Sequence, residues 1–250
     1  MKTAKEIFAR IWAIWGFIVF LITMLFFFPF YLPVYILKEP AAAKYHRIIC
    51  QWWMTSLIYG IGCSYKIFGK KNYEAGTNYV IVCNHNSFMD IVMTTPFLPR
   101  ANKTIAKKEL ARIPIFGWIY AMGSVLVDRK NERNRRKSFD DMKKILSIGL
   151  DMVIYPEGTR NRTNKPLIPF QDGAFRLAVD THKPILPVII FNTKKVLPAN
   201  KSFFLMPHKI EMHVLPIVQT HNISAHKLKE KVFEIMWNYF EQHQFNNSSI

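Results

Sequence analysis

His85 and Asp90 stand five residues apart in the stretch Asn84-His85-Asn86-Ser87-Phe88-Met89-Asp90. Partners on one helix face sit three or four apart, so these two are not simple helical neighbours. The spacing suits a turn that runs into a helix, with a carboxylate from the first helical turn folded back onto the imidazole. A carboxylate in that position fixes the ring tautomer and stabilises the imidazolium, leaving the other ring nitrogen to accept a proton. His85 is therefore a candidate general base, and Asp90 its orienting partner. The other histidines, His213 and His243 among them, lack this setting of small polar residues and read as surface or packing groups.

Ser87 raises a rival chemistry, a serine nucleophile served by His85. The G-x-S-x-G elbow that would expose such a serine is missing, and a helix cap is the better reading of Ser87. No second His, Asp or Glu stands at ligand spacing from His85, so no metal is expected there. A different chemistry is suggested by Glu157-Gly158-Thr159-Arg160. Glycine lets a ligand approach the backbone, threonine adds a hydroxyl, and arginine presents a fork that matches phosphate. The plain alternative is a solvated turn closed by an Arg–Glu pair.

What decides between these readings is the set of elements that would carry the residues. Tyr79 to Cys83 reads as a buried strand, and Lys103 to Ala106, Ser124 to Val127, Met152 to Tyr155 and Ile185 to Phe191 as further strands. Between them, Phe139, Met142, Leu146 and Gly149 recur at helical spacing, and Asp172 to His182 reads as another helix. Leu228, Val232, Ile235 and Tyr239 mark a last helix behind a Ser224 cap. Alternating strands and helices imply an α/β fold with a largely parallel central sheet. In such a sheet the C-terminal strand ends share one edge, where ligands bind. Asn84 to Asp90, Asp128-Arg129 and Pro156 to Arg160 each follow a strand, so the three clusters are expected to converge.

The first 70 residues differ in character. Ile11 to Leu37 forms 27 residues without a formal charge, enough to span a bilayer core. Pro29 and Pro33 interrupt it. A second uncharged run, Ile48 to Tyr65, carries Trp52, Trp53, Tyr59 and Tyr65, residues that favour the headgroup level. The pair reads as a membrane-anchoring helical hairpin over residues 1–70, which either spans or dips into one leaflet. The α/β domain is expected over 71–245, with a frayed tail at 246–250.

The chain has 34 Lys and Arg against 17 Asp and Glu, a net charge of +17. That excess favours an anionic partner and does not distinguish a membrane surface, a phosphorylated substrate or nucleic acid. With Lys2, Lys5 and Arg10 ahead of the first apolar run, the basic parts are placed on the cytoplasmic face. Cys50, Cys63 and Cys83 are too few and too scattered for a disulfide framework or a thiolate zinc site, and read as buried thiols.

The motifs together resemble a known family. Asn84-His85-x-Ser87-x-x-Asp90 is similar to the first signature block of the glycerolipid acyltransferases. Gly123 to Arg129, Tyr155 to Arg160 and Leu186-Pro187-Val188 resemble the second, third and fourth blocks, in that order. Two departures are mild: Tyr155 stands where the family usually has Phe, and Asn161 where it has Ser.

The resemblance implies acyl transfer from an acyl thioester (acyl-CoA or acyl carrier protein) to the sn-2 hydroxyl of 1-acylglycerol 3-phosphate, giving phosphatidic acid with no cofactor. It implies His85 as general base, Asp90 as its orienter, and Arg129, Glu157, Gly158, Thr159, Arg160 and Lys107 around the phosphate. A backbone N–H near Gly158 would serve the oxyanion, and Ile115, Phe116 and Trp118 would line an acyl tunnel. The partners expected are membrane lipids, lysophosphatidic acid and the acyl donor, and no nucleic acid. Two alternatives stay open: another acceptor (glycerol 3-phosphate, another lysophospholipid or a lyso-amino-acid lipid), or a non-catalytic protein that binds anionic lipid or nucleic acid.

Overall fold

A computed structural model describes residues 2–74, 76–128 and 131–248. Helix α1 (Lys2–Phe27) stops where Pro29 opens a 3-10 segment over Phe28–Tyr35, and α2 (Ala41–Gly60) returns against it. The Trp12 and Trp15 indoles donate to the carbonyls of Ile61 (3.0 Å) and Gly60 (2.9 Å). Those carbonyls lie at the end of α2, where backbone acceptors lack partners within the helix. The tryptophans of the apolar run thus close a helix end as well as filling space.

Then follow β1 (Ser64–Phe68), β2 (Val80–Cys83), α3 (Met89–Phe97), β3 (Asn102–Lys107), α4 (Phe116–Met122), β4 (Ser124–Val127) and α5 (Glu132–Ser147). The chain continues through β5 (Asp151–Ile154), α6 (Gly173–Asp180), β6 (Ile185–Phe191), α7 (Thr193–Val196), β7 (Lys209–Val214) and α8 (Ala225–Ser248). One seven-stranded sheet has the order β1-β7-β6-β2-β5-β3-β4. All neighbours are parallel except β6 and β7. The expected α/β architecture, with helices on both faces, is what the chain adopts. Core clusters lie on each face: α2 and α3 with Met93, Trp53 and Ile58 on one, and α5, α6 and α8 with Leu146, Phe175 and Val232 on the other.

Three local differences have physical reasons. Tyr65, read as the end of an apolar membrane segment, lies in β1, whose five residues pair with β7. The apolar run therefore leaves α2 at Gly60 and enters the sheet before residue 71. Gly149 lies beyond α5 with φ 83°, so it terminates that helix instead of extending its apolar face. Strand β7 has the alternating sequence KIEMHV and was not anticipated; it pairs antiparallel with β6.

Candidate active site

The C-terminal ends of β2, β5, β3 and β4 share one edge because these strands are mutually parallel. The loops after β2 and β5, which leave adjacent strands, are stitched together. The His85 N–H donates to Glu157 Oε1 at 2.7 Å, and the Asn161 N–H donates to the His85 carbonyl at 2.6 Å. Above these bonds the Arg160 guanidinium stacks 3.9 Å from the centre of the Phe88 ring, which is 46% exposed.

Within the first loop, His85 Nδ1 lies 2.9 Å from Asp90 Oδ2. The same oxygen accepts the Asn86 N–H (2.6 Å) and the Ser87 N–H (2.7 Å). Asp90 is 0% exposed, so no substrate reaches it; its carboxylate fixes the turn and the ring at once. Its Oδ1 has no hydrogen-bond partner among the described residues. The His85 ring is held from its face by Tyr155 (centroids 4.4 Å apart), whose hydroxyl meets Thr94 Oγ1 at 2.8 Å. Burial raises the Tyr155 phenol well above its ordinary range, so it stays neutral beside the imidazole. With Nδ1 bound to the carboxylate, Nε2 is the nitrogen left to take a proton, on a side chain 15% exposed.

Ser87 is fully buried, accepts the Met89 N–H (3.1 Å) and donates to the Leu197 carbonyl (2.7 Å). Its hydroxyl braces the start of α3, and the serine-nucleophile chemistry has no exposed hydroxyl to use. Asn84 behaves as a piece of backbone. Its amide donates to the Ile190 carbonyl (3.0 Å) and accepts the Ile190 N–H (2.8 Å), pinning the loop to β6. Asn84 belongs to the first motif, but its residue type alone assigns it no role. The signal is a buried amide directly after a strand, which must find both a donor and an acceptor.

The structure gives Glu157 a different role from the expected substrate contact. It is 3% exposed, and its second oxygen accepts the Ile168 N–H at 3.2 Å. Burial pushes its carboxyl up to about 8, against the two amides that favour the anion; the Asp90 charge adds to the rise. Glu157 is thus a brace between the two loops and the segment before α6. Gly158 sits at φ 70°, where a side chain would be strained, and its N–H donates to the Tyr155 carbonyl at 3.1 Å. That amide closes the turn. Thr159 and Arg160 remain at the surface of the turn, and partial burial with nearby Arg162 lowers the Arg160 pKa. Asn161, the departure from the usual Ser, is fully buried and ties the turn to Lys165 and Thr163.

Lys107 ends β3 and is exposed on the same edge. Two strand spacings separate β3 from β2, about 10 Å, and three separate β4 from β2, about 14 Å. Arg129 lies outside the described residues. Phe116 and Trp118 pack against the N-terminal helical segment, 6.0 Å from Phe20 and 5.9 Å from Phe28, and Ile115 precedes them with φ 63°. These three therefore sit where α4 meets that segment. Gly123, in the second signature block, is required by close approach: a Cβ there would lie 2.6 Å from the buried His46 ring.

The family model described as Acyltransferase matches residues 64–191, from the start of β1 to the end of β6. The chain belongs to the acyltransferase family. It is 31% identical over 199 residues to the human 1-acyl-sn-glycerol-3-phosphate acyltransferase beta, covering 77% of this chain and 69% of that protein. It is 30% identical over 197 residues to the 1-acyl-sn-glycerol-3-phosphate acyltransferase of Saccharomyces cerevisiae, covering 73% and 62%. The chain spans between about half and about two-thirds of the length of such curated relatives. The fold matches the crystal structure of the Thermotoga maritima 1-acyl-sn-glycerophosphate acyltransferase PlsC, with a TM-score of 0.81 at 23% identity, covering 95% of this chain and 97% of that one.

Proposed function

We propose that this chain transfers an acyl group from an acyl thioester, carried by coenzyme A or acyl carrier protein, to the sn-2 hydroxyl of 1-acylglycerol 3-phosphate. The product, phosphatidic acid, feeds phospholipid biosynthesis. One observation carries the reading. The loop that bears the His85–Asp90 pair is bonded through Glu157 and Asn161 to the loop that bears Arg160, so a base and a phosphate-matching fork share one edge. The names of the human and yeast relatives point to the same acceptor.

His85 Nε2 takes the hydroxyl proton as the acceptor oxygen attacks the thioester carbonyl carbon. A C–O bond forms, and negative charge moves to the carbonyl oxygen. Collapse breaks the C–S bond, and the leaving thiolate recovers the proton from the imidazolium. Asp90 stabilises that imidazolium, and no acyl-enzyme or cofactor is required. A positioned general base contributes about 10²–10⁴-fold. Arg160, Thr159 and the Gly158 turn face the glycerol phosphate, with Lys107 and Arg129 supplying further positive charge along the edge.

The chain associates with membranes through its apolar N-terminal segment, Thr3–Tyr35, of which only 22% is buried in its most apolar window. We place it in one leaflet, on the cytoplasmic face. Ala9 accepts the Leu205 N–H at 3.1 Å, and Phe28 meets Trp118. Nineteen residues separate these contacts, about 28 Å at 1.5 Å per residue. A helix that lies along the α/β body over nearly the thickness of a bilayer core supports an in-plane anchor more than a crossing one. Phe17, Ile22 and Phe26 are exposed on it, and Phe88 and Trp118 continue the apolar surface on the body.

The test is transfer from long-chain acyl-CoA, with 1-acylglycerol 3-phosphate, glycerol 3-phosphate and monoacylglycerol as competing acceptors. Phosphatidic acid is the expected main product, with monoacylglycerol slower by about 10²-fold, the loss of one charge-assisted recognition contact. Preference for glycerol 3-phosphate would retain the mechanism and replace the acceptor. Equal use of monoacylglycerol would remove the phosphate role of Arg160.

A further inference from the structure

Away from the His85 loop, three metal-ligating side chains meet between the β7 strand and the last turns of α8. Glu211 and His213 are two apart on β7 and so point to the same face of the sheet. His243 descends from α8. His243 Nε2 lies 3.4 Å from Glu211 Oε2, and His213 Nε2 lies 3.6 Å from the same oxygen. The three ligand atoms all fall within 4.8 Å of one another. A tetrahedral zinc with bonds of about 2.0–2.1 Å holds its ligand atoms about 3.3 Å apart, so small side-chain shifts complete the geometry.

A second observation points at a ligand. His213 is 4% exposed, and its Nε2 has no hydrogen-bond partner among the described residues. A buried ring nitrogen left in this state is costly unless something binds it. The opposite nitrogen, Nδ1, is 2.8 Å from the Tyr239 hydroxyl. With Nδ1–H donating to that hydroxyl, Nε2 presents its lone pair into the cluster, which is how metal-bound imidazoles are oriented. Glu211 is also suitably divided: Oε1 is held by Lys209 at 2.8 Å, and Oε2 faces the two imidazoles. Phe68 and Phe191 wall the site, their rings 4.5 and 5.0 Å from that of His213.

We propose that Glu211, His213 and His243 bind one divalent cation of the zinc class, which fastens the C-terminal end of α8 to β7. Two imidazoles and a carboxylate suit zinc, and the fourth position is left to water. The ligands come from segments 30 residues apart, so no local motif announces them.

The test uses the full-length chain without an affinity tag, in detergent, stripped with chelator and then offered Zn²⁺. About one zinc per chain is expected to survive gel filtration. Co²⁺ in its place should give the visible absorption of a tetrahedral site. Zinc at a hundredfold excess over its Kd should raise the thermal midpoint by about 5–10 °C. H243A and E211Q should lose both effects, while H226A, at an exposed His–Glu pair on the same helix, should keep them. Y239F should keep the fold and bind zinc about 10–100-fold more weakly. Circular dichroism and acyl transfer by each variant separate loss of zinc from loss of fold. A chain that retains no zinc, or zinc retention that H243A and E211Q leave unchanged (an adventitious ion only), overturns the site.

Discussion

Replacing Asp90 by Asn separates orientation of the base from binding of the acceptor. The Asp90 carboxylate makes three short contacts through one oxygen: to His85 Nδ1 at 2.9 Å and to the amides of Asn86 and Ser87 at 2.6 and 2.7 Å. An Asn oxygen in the same place keeps the two amides, so the turn should persist. What disappears is the negative charge beside the imidazole, and with it the stabilisation of the imidazolium formed during proton transfer. Loss of that charge assistance, about 1.5–3 kcal/mol, corresponds to a fall in kcat of about 10–10²-fold. The Asn amide would also occupy the place of Oδ1, where no partner stands among the described residues, at a cost of about 1–3 kcal/mol. The thermal midpoint should therefore drop by about 2–12 °C. Because Asp90 is fully buried, the KM for 1-acylglycerol 3-phosphate should hardly change. Initial rates over a range of acceptor concentrations, taken well below the midpoint, decide it. A kcat within tenfold of wild type, or a large rise in KM with kcat preserved, would refute the orienting role.

Arg160→Ala should raise the acceptor KM about 10–100-fold, and Arg160→Lys should restore only part of it, because a point charge lacks the fork; steady-state kinetics with an unchanged KM would end the phosphate assignment. Gly123→Ala should lower stability by about 1–3 kcal/mol, since the new Cβ meets the buried His46 ring at 2.6 Å, and thermal unfolding in detergent reads this directly. Glu157 carries a carboxyl raised from 4.5 to about 8, so the folded chain holds a proton that the unfolded chain releases between those values. Stability should then fall as pH rises from about 4.5 to 8, with buried Asp151, raised to about 7, contributing in the same direction. Glu157→Gln should flatten part of that slope, and an unaltered pH profile would exclude Glu157 as its source.

The His85–Asp90 contact was legible because its geometry is local. His85 and Asp90 lie within one turn, and the alternation of strands and helices was enough to place that turn at a ligand-binding edge. The place of Arg160 at the same edge was legible for the same reason, as its loop follows the neighbouring parallel strand. Glu157 was misread because its type and position suit a substrate contact equally well; only burial and two amide partners reveal a brace. Strand β1 was hidden by composition, since an uncharged run continues from α2 into Tyr65 without a break. Strand β7 and its His213–His243 contact depend on a register with β6 and a helix that arrives from elsewhere in the chain, and spacing along the sequence carries neither.

The most direct test of the central claim is acyl transfer to 1-acylglycerol 3-phosphate by wild type and His85→Ala, side by side in bilayers with a long-chain acyl thioester. The variant should fold, still bind the acceptor, and be slower by about 10²–10⁴-fold. A His85→Ala chain that matches an active wild type would contradict this, because the hydroxyl would then lose its proton without His85.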